Sequence, residues 1–118
     1  MTVGPASGEF GIWFRRTDIQ GKDCLIPAKW SVVNQSPLCT RLENADGVTV
    51  STVEHIMAAL AGCGVHNAMI ELDGPEVPIL DGSAAIFVRA ILEAGLEVST
   101  QPVRVIEVLK PVEVRRGE

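Results

Sequence analysis

Two adjacent residues, Glu54 and His55, are the strongest candidates for chemistry in this sequence. A carboxylate beside a metal-bound imidazole can take a proton from metal-bound water, which is the role of a general base. The pair differs from the H-E-x-x-H motif of metalloproteases, in which two histidines lie one helical turn apart. One histidine supplies one ligand, whereas a catalytic zinc ion usually takes three protein ligands and water. The pair therefore predicts part of a metal centre at most.

The same two residues also have a purely structural interpretation. Ser51 followed by Glu54 has the spacing of a capping box, in which the glutamate bonds back to the cap residue at the start of a helix. His55 would then be an ordinary helix residue near a sheet. The first turn of a helix also carries unpaired N–H groups, which create a positive field around either arrangement. The residue pattern alone leaves both interpretations open.

The other reactive side chains give weaker signals. His66 follows two helix-breaking glycines and is typical of a loop or a strand edge. Asp73, Glu76 and Asp81 cluster in one segment, but they lack the D-x-[DN]-x-[DN]-G spacing of a calcium-binding loop. Cys39 has no basic or histidine neighbour in the sequence that would activate its thiol. None of these residues predicts a site by itself.

Composition excludes several classes of protein. Hydrophobic residues make up 47% and charged residues 21%, which is typical of a globular domain, and the net charge of -5 argues against a nucleic-acid partner. Three cysteines without a C-x-x-C pair predict neither a disulfide framework nor a zinc knuckle. No apolar run reaches the roughly 18 residues of a membrane span, and no signal peptide is recognisable. We therefore expect a cytoplasmic protein that does not span a membrane.

Periodicity predicts the elements that would position the pair. The strands are expected at residues 9–18, 24–28, 38–43, 48–50, 67–72, 103–109 and 112–116. The helices are expected at residues 51–61 and 83–94, with Ser51 and Ser83 as caps and glycines after each helix. The first helix is expected to carry an apolar stripe of Val53, Ile56, Met57 and Leu60, and the second to face inward with Phe87, Val88, Ile91 and Leu92. Residues 44–47, Asn-Ala-Asp-Gly, predict a hairpin turn, and residues 3–8 have the composition of a turn.

These elements predict an α+β fold with two layers, in which two helices lie on one face of a small mixed or antiparallel sheet. We expect an incomplete single domain, because the first predicted strand has no earlier partner and the last hairpin has no later one. Open sheet edges of this kind favour pairing with another chain, so self-association is also expected.

Four segments resemble a known family. They are S-T-V-E-H-I-M-A-A-L-A-G at residues 51–62, D-G-P-E-V-P-I-L-D-G-S-A at residues 73–84, F-R-R-T-D at residues 14–18 and L-C-T at residues 38–40. In this order and spacing, the sequence resembles the UDP-3-O-acyl-N-acetylglucosamine deacetylases, zinc-dependent enzymes of lipid A synthesis in Gram-negative bacteria. The likeness covers nearly the whole chain, and the two long segments together are specific.

The resemblance implies a role for each candidate residue. Glu54 would be the general base, His55 a zinc ligand, and Leu38 and Cys39 would line the substrate cleft from a small inserted hairpin. The implied cofactor is zinc, and the implied substrate is a UDP-linked, acylated glucosamine. The implied reaction is hydrolysis of an amide, in which water attacks the acetyl carbonyl and acetate is released.

The resemblance also implies that much of the enzyme lies outside this sequence. Residues 1–101 would be the N-terminal deacetylase domain without its first strand, and residues 102–118 would be the opening strands of a second domain. That domain would supply the remaining zinc ligands and the general acid, so we expect the chain alone to be inactive. Two alternatives remain open: one half of a split deacetylase that needs a second chain, or a non-catalytic interaction module.

Overall fold

The structure is a computed structural model that describes residues 1–117, and it contains two small β-sheets, two α-helices and one short 3-10 helix. The strands are β1 (Thr2–Pro5), β2 (Ile12–Arg16), β3 (Leu25–Pro27), β4 (Val33–Asn34), β5 (Arg41–Glu43), β6 (Thr49–Ser51) and β7 (Ala68–Leu72). The helices are α1 (Glu54–Gly62) and α2 (Ala85–Ala94), and the 3-10 helix is Trp30–Val32. This mixed composition confirms the predicted α+β class.

The larger sheet is mixed and has the strand order β1-β7-β2-β3. Strand β7 is antiparallel to β1 and parallel to β2, and β2 is antiparallel to β3. Side chains alternate between the two faces, so Phe14 of β2 and Ile70 and Leu72 of β7 are all buried on the same side. The period of two that predicted these strands therefore corresponds to one buried face.

Both helices contribute to the core that covers this face. Ile56 and Leu60 of α1 and Phe87 and Ile91 of α2 belong to the same buried cluster as the sheet residues. Full burial of one such aliphatic or aromatic side chain stabilises a fold by ~1.5–3 kcal/mol. The apolar stripe predicted for α1 is confirmed, whereas Leu92, which was predicted to face inward, is largely exposed on α2.

The smaller sheet, in the order β4-β5-β6, leads the chain into α1. The predicted turn between β5 and β6 is confirmed: the Asn44 side-chain oxygen accepts the N–H groups of Asp46 and Val48 at 3.1 and 2.9 Å. Gly47 in this turn has a φ of 74°, which a residue without Cβ adopts readily. Strand β6 ends at Ser51, only three positions before the first residue of α1.

A buried arginine connects the two sheets. Arg16 of β2 donates Nε–H and Nη2–H to the two carboxylate oxygens of Asp18 at 2.8 and 2.7 Å. Its Nη1–H donates to the backbone oxygen of Thr49 in β6 at 2.7 Å. The hydrogen bonds from Arg16 hold the pKa of Asp18 below its usual range.

The sequence-based boundaries were wrong at both ends of the chain. Residues 3–5, predicted as part of a turn at residues 3–8, belong to strand β1, because their backbone pairs with β7 through contacts that no local pattern reveals. The next strand begins at Ile12 rather than residue 9, since Gly8 and Glu9 form a turn and Glu9 and Gly11 both have positive φ values, which leaves Phe10 exposed.

Residues 103–109 and 112–116, predicted to be two strands, form no strand in the described structure and are exposed. Strand residues need a neighbouring backbone to pair with, and these segments have none among residues 1–117. The proposed division into residues 1–101 and 102–118 stays a prediction. Within the described part of the chain, no helix has the length and apolar character needed to cross a bilayer.

Candidate active site

The start of α1 lies beside an open cavity of about 460 Å³. The lining residues are Pro37, Leu38, Cys39, Thr52, Glu54, His55, Glu76 and Ile79. All four residues that the sequence analysis selected therefore lie together around one cavity, although they come from two separate segments of the chain. Their chemical roles stay predictions. His66, Asp73 and Asp81 are not among the lining residues.

The Glu54 carboxylate is fixed by a backbone amide from a distant segment. Its Oε2 accepts the N–H of Thr40 at 3.0 Å, and Val53 donates its own N–H to the backbone oxygen of Thr40 at 3.3 Å. Among residues 1–117, no hydrogen bond is made by the second carboxylate oxygen, Oε1. One oxygen is thus anchored, and the other is available to a molecule in the cavity.

This geometry shows that the predicted capping box is wrong. Helix α1 begins at Glu54, its cap position is Val53, and no side chain caps it. Ser51 lies at the end of β6, where its N–H donates to the Pro75 oxygen at 2.8 Å. The contacts of Ser51 and Glu54 with distant segments replace the local bonds that a capping box would make.

His55 carries a buried ring nitrogen without a partner. Its Nδ1 is inaccessible to solvent and makes no hydrogen bond to any described residue. Buried polar atoms nearly always have a hydrogen-bond partner, so this unpartnered nitrogen distinguishes His55 from an ordinary helix residue.

The donor atoms of this chain fit only part of a zinc site. The imidazole of His55 is a suitable ligand, and its unpartnered nitrogen is consistent with that role. Among the described residues, however, no three His, Cys, Asp or Glu side chains are grouped closely enough to hold a metal ion. A zinc ion at His55 would therefore need ligands from outside residues 1–117.

Leu38 and Cys39 lie in the loop before β5. The strand predicted from residue 38 begins only at Arg41, because Leu38 has a φ of 68°, which is incompatible with a strand. The Leu38 side chain is fully exposed, and the Cys39 sulfur lies 3.3 Å from the Ser36 hydroxyl oxygen. Leu38 and the half-exposed Ile79 give the cavity an apolar rim.

Sequence reasoning missed Thr52 and Glu76 as parts of this site. Thr52 is 7% exposed with a φ of 59°, and its hydroxyl donates to Glu76 Oε1 at 2.7 Å. The two residues are 24 positions apart, so no local spacing could have connected them. The positive φ of a threonine is visible only in the structure.

The fold and the cavity together describe an α+β protein in which an adjacent carboxylate and imidazole, at the start of a helix, lie beside an apolar cavity rim. Comparison with known proteins then gives the family. Residues 1–118 match the LpxC family, described as UDP-3-O-acyl N-acetylglycosamine deacetylase, and the chain belongs to this family.

Several curated relatives carry the name UDP-3-O-acyl-N-acetylglucosamine deacetylase. The chain is 50% identical to the protein of Phenylobacterium zucineum (strain HLK1), over all of this chain and 40% of that protein. It is 46% identical to the protein of Vibrio cholerae serotype O1 (strain O395) and 42% identical to that of Pseudoalteromonas atlantica, in each case over all of this chain and 38% of the relative. The chain thus spans about two fifths of the length of these relatives.

Proposed function

We propose that this chain supplies the N-terminal part of the active site of a deacetylase that removes acetate from UDP-3-O-acyl-N-acetylglucosamine. One observation carries the proposal: Glu54, held through one oxygen, and His55, with an unpartnered buried nitrogen, line the same cavity. The substrate is taken from the name that the curated relatives share. A nucleotide-linked substrate fits the cytoplasmic location expected from the sequence.

In this proposal Glu54 acts as the general base. The anchored Oε2 fixes the carboxylate plane, and Oε1 takes a proton from a water molecule in the cavity. The water oxygen then bonds to the acetyl carbonyl carbon, the amide C–N bond breaks, and acetate and a free amine result. In this proposal the leaving amine takes its proton from the general acid that the family resemblance places in the second domain, and Glu54 returns the proton it has taken to the solvent.

His55 holds one coordination position of the zinc ion that we propose as the cofactor. Zinc bound there would polarise the carbonyl oxygen as a Lewis acid. Leu38 and Cys39 line the cleft, and the exposed Leu38 side chain offers apolar contact area to the acylated sugar. The absence of a three-residue metal cluster among residues 1–117 supports the proposal that the chain alone does not turn over.

The test measures acetate release from UDP-3-O-acyl-N-acetylglucosamine with zinc present. We would assay the 118-residue chain alone and the chain fused to the part of the Phenylobacterium zucineum relative that it does not match. We expect turnover only by the fusion, and we expect Glu54→Gln to abolish most of it. Glu71→Gln is the matched control, since Glu71 pairs with Arg15 on the surface away from the cavity.

Two results would overturn parts of this proposal. A fusion whose turnover survives Glu54→Gln would remove Glu54 as the base. Turnover by the chain alone that rises with the square of its concentration would show that two copies complete the site. The predicted self-association through open edges would then be the explanation, and β1 is one such edge of the larger sheet.

A further inference from the structure

We propose that Thr52 and Glu76 form a positioning pair that sets the direction of the first turn of α1, and with it the placement of Glu54 and His55. The inference rests on the proposed function, in which those two side chains act in the cavity. Thr52 and Glu76 both line that cavity. Neither residue takes a chemical step in the proposed reaction.

Thr52 has an unusual backbone conformation. Its φ of 59° lies in the left-handed region, where a β-branched residue is a genuine outlier. Such conformations persist only where surrounding contacts over-determine them, and they cluster at functional sites. Thr52 lies two positions before Glu54, so its conformation decides in which direction the chain leaves β6 and enters α1. Contacts from the surrounding structure must therefore hold Thr52 in this conformation.

Glu76 provides the side-chain part of that constraint. Its Oε1 accepts the Thr52 hydroxyl at 2.7 Å, a short hydrogen bond to a charged acceptor. Thr52 is 7% exposed while Glu76 is present, and Glu76 itself is exposed at the open cavity. Removal of Glu76 would therefore replace an acceptor fixed by its loop with a water molecule from the cavity. Water is not tied to that loop, so Thr52 would be released toward other conformations.

The backbone beside Glu76 keeps the acceptor in place. Ser51 donates its N–H to the Pro75 oxygen at 2.8 Å, and Val77 donates its N–H to the Ser51 oxygen at 3.1 Å. These bonds form an isolated parallel bridge between Ser51 and Glu76, and the buried Val77 side chain anchors the loop in the core. Glu76 thus lies at a fixed position relative to Thr52.

The first turn of α1 is held from two sides. Thr40 binds the Val53 amide and the Glu54 carboxylate on one side, and Glu76 binds the Thr52 side chain on the other. If the contact with Glu76 is lost, the one side-chain hydrogen bond left to residues 52–54 within the described part of the chain is that of the Glu54 carboxylate. Catalytic groups misplaced by about 1 Å can lose as much as ~100-fold in rate, so a modest relaxation would be measurable.

The kinetic test uses the fusion described above and four variants at the two positions. Thr52→Val and Glu76→Ala remove the hydrogen bond, whereas Thr52→Ser and Glu76→Gln keep a hydroxyl and an acceptor oxygen. We expect the first two to lower kcat by ~10-fold or more with KM changed by less than about twofold, and the conservative variants to retain most of kcat. The double variant Thr52→Val/Glu76→Ala should be no slower than the slower single variant.

Matched controls separate positioning from loss of folding. Thr17→Val removes a threonine hydroxyl bond to the Leu72 oxygen, and Glu71→Ala removes a glutamate, both away from the cavity. We expect neither to change kcat per folded molecule. A Thr52→Val variant with unchanged kcat would overturn the positioning pair. So would a Glu76→Ala variant that raises KM while Thr52→Val has no effect, because Glu76 would then contact the substrate directly.

A second measurement needs no turnover and uses the 118-residue chain. Backbone amide chemical shifts of Glu54 and His55, measured by NMR, should change in Thr52→Val and Glu76→Ala and stay near the parent values in Glu76→Gln. Unchanged shifts in the first two variants would overturn the proposal. If Glu54→Gln proves fully active, the proposed function fails, but these shifts still decide whether the pair positions the turn.

Discussion

The two helix starts of this protein are held by different contacts. Neither cap position, Val53 of α1 or Ala84 of α2, makes a side-chain cap bond, so Ser83 lies one position before the observed cap of α2. At the start of α2 the contacts are local: Ser83 donates its hydroxyl to Asp81 Oδ1 at 2.9 Å and accepts the Ala85 N–H at 3.1 Å. At the start of α1 the contacts come from Thr40 and Glu76, 12 or more positions from Thr52. The sequence offers the same signal, a serine before an apolar stripe, at both places.

The difference shows what determines a helix start at a candidate site. Before α2, Ser83 and Asp81 bond to each other, so these local side chains are occupied. At α1 the holding contacts come from distant segments, and Glu54 and His55 of the first turn line the cavity. The cost is a threonine in the left-handed region, which is ~1–3 kcal/mol for conformations of this kind.

The largest expected difference between the two helix starts is in turnover. In the fusion with the missing part of the Phenylobacterium zucineum relative, Glu54→Gln should lower kcat by ~10²–10⁴, because an amide cannot act as a general base. Ser83→Ala at the start of α2 should change kcat per folded molecule by less than about twofold. Steady-state kinetics on both variants would test this, and equal losses would show that α2 is as close to the chemistry as α1.

The next difference is in stability. Ile56 of α1 is 1% exposed, so Ile56→Ala should lower the free energy of unfolding by ~2–5 kcal/mol through lost apolar burial and the cavity left behind. Leu92 of α2 is 59% exposed, and Leu92→Ala should change it by less than ~0.5 kcal/mol. Urea denaturation of the 118-residue chain would measure both. Similar values would mean that Leu92 is covered in solution.

Local patterns predicted the elements whose signals lie within one segment. The stripe of Val53, Ile56 and Leu60 is buried, and Gly95 ends α2 with a φ of 88°. The residues around the cavity were found through Glu54 and His55 and through the family resemblance, which also indicated Leu38 and Cys39. The structure places all four around the same cavity, but it leaves their roles to experiment.

Long-range pairing explains what the sequence could not predict. Strand β1 exists because β7 pairs with it, about 65 positions later in the chain. Residues 103–116 show the reverse: their alternating apolar residues have the pattern of strands, yet no described backbone pairs with them. The link between Thr52 and Glu76 depends on a backbone angle and a loop position, neither of which leaves a spacing signature.

A smaller difference separates the two serines. Ser83→Ala removes the bond to the Ala85 N–H and should lower the free energy of unfolding by ~0.5–1.5 kcal/mol, the usual net contribution of one hydrogen bond. Ser51→Ala should cost less, since the Ser51 hydroxyl makes no hydrogen bond to a described residue and only its backbone pairs with the 75–77 loop. Parallel urea titrations would measure both losses of unfolding free energy. A larger loss in Ser51→Ala than in Ser83→Ala would show that the Ser51 hydroxyl caps α1 after all.

The smallest expected effect is the pH dependence of the stability that Ser83 contributes. Hydrogen bonds from the Ser83 side chain and backbone hold the pKa of Asp81 below its usual value. A carboxyl whose pKa is lower in the folded state contributes stability above its unfolded pKa of ~3.9, and this contribution is lost as pH falls through the folded pKa.

The stability difference between the parent and Ser83→Ala should therefore be larger at pH 6 than at pH 2.5, whereas the difference between the parent and Ser51→Ala should not change. Both variants and the parent contain another acid-sensitive pair, Arg16 with Asp18. Its contribution to stability is therefore the same in all three proteins and cancels in each difference. Thermal melts across this pH range would measure the two differences. A Ser83→Ala difference that stays constant with pH would assign the whole effect to the bond with the Ala85 N–H rather than to Asp81.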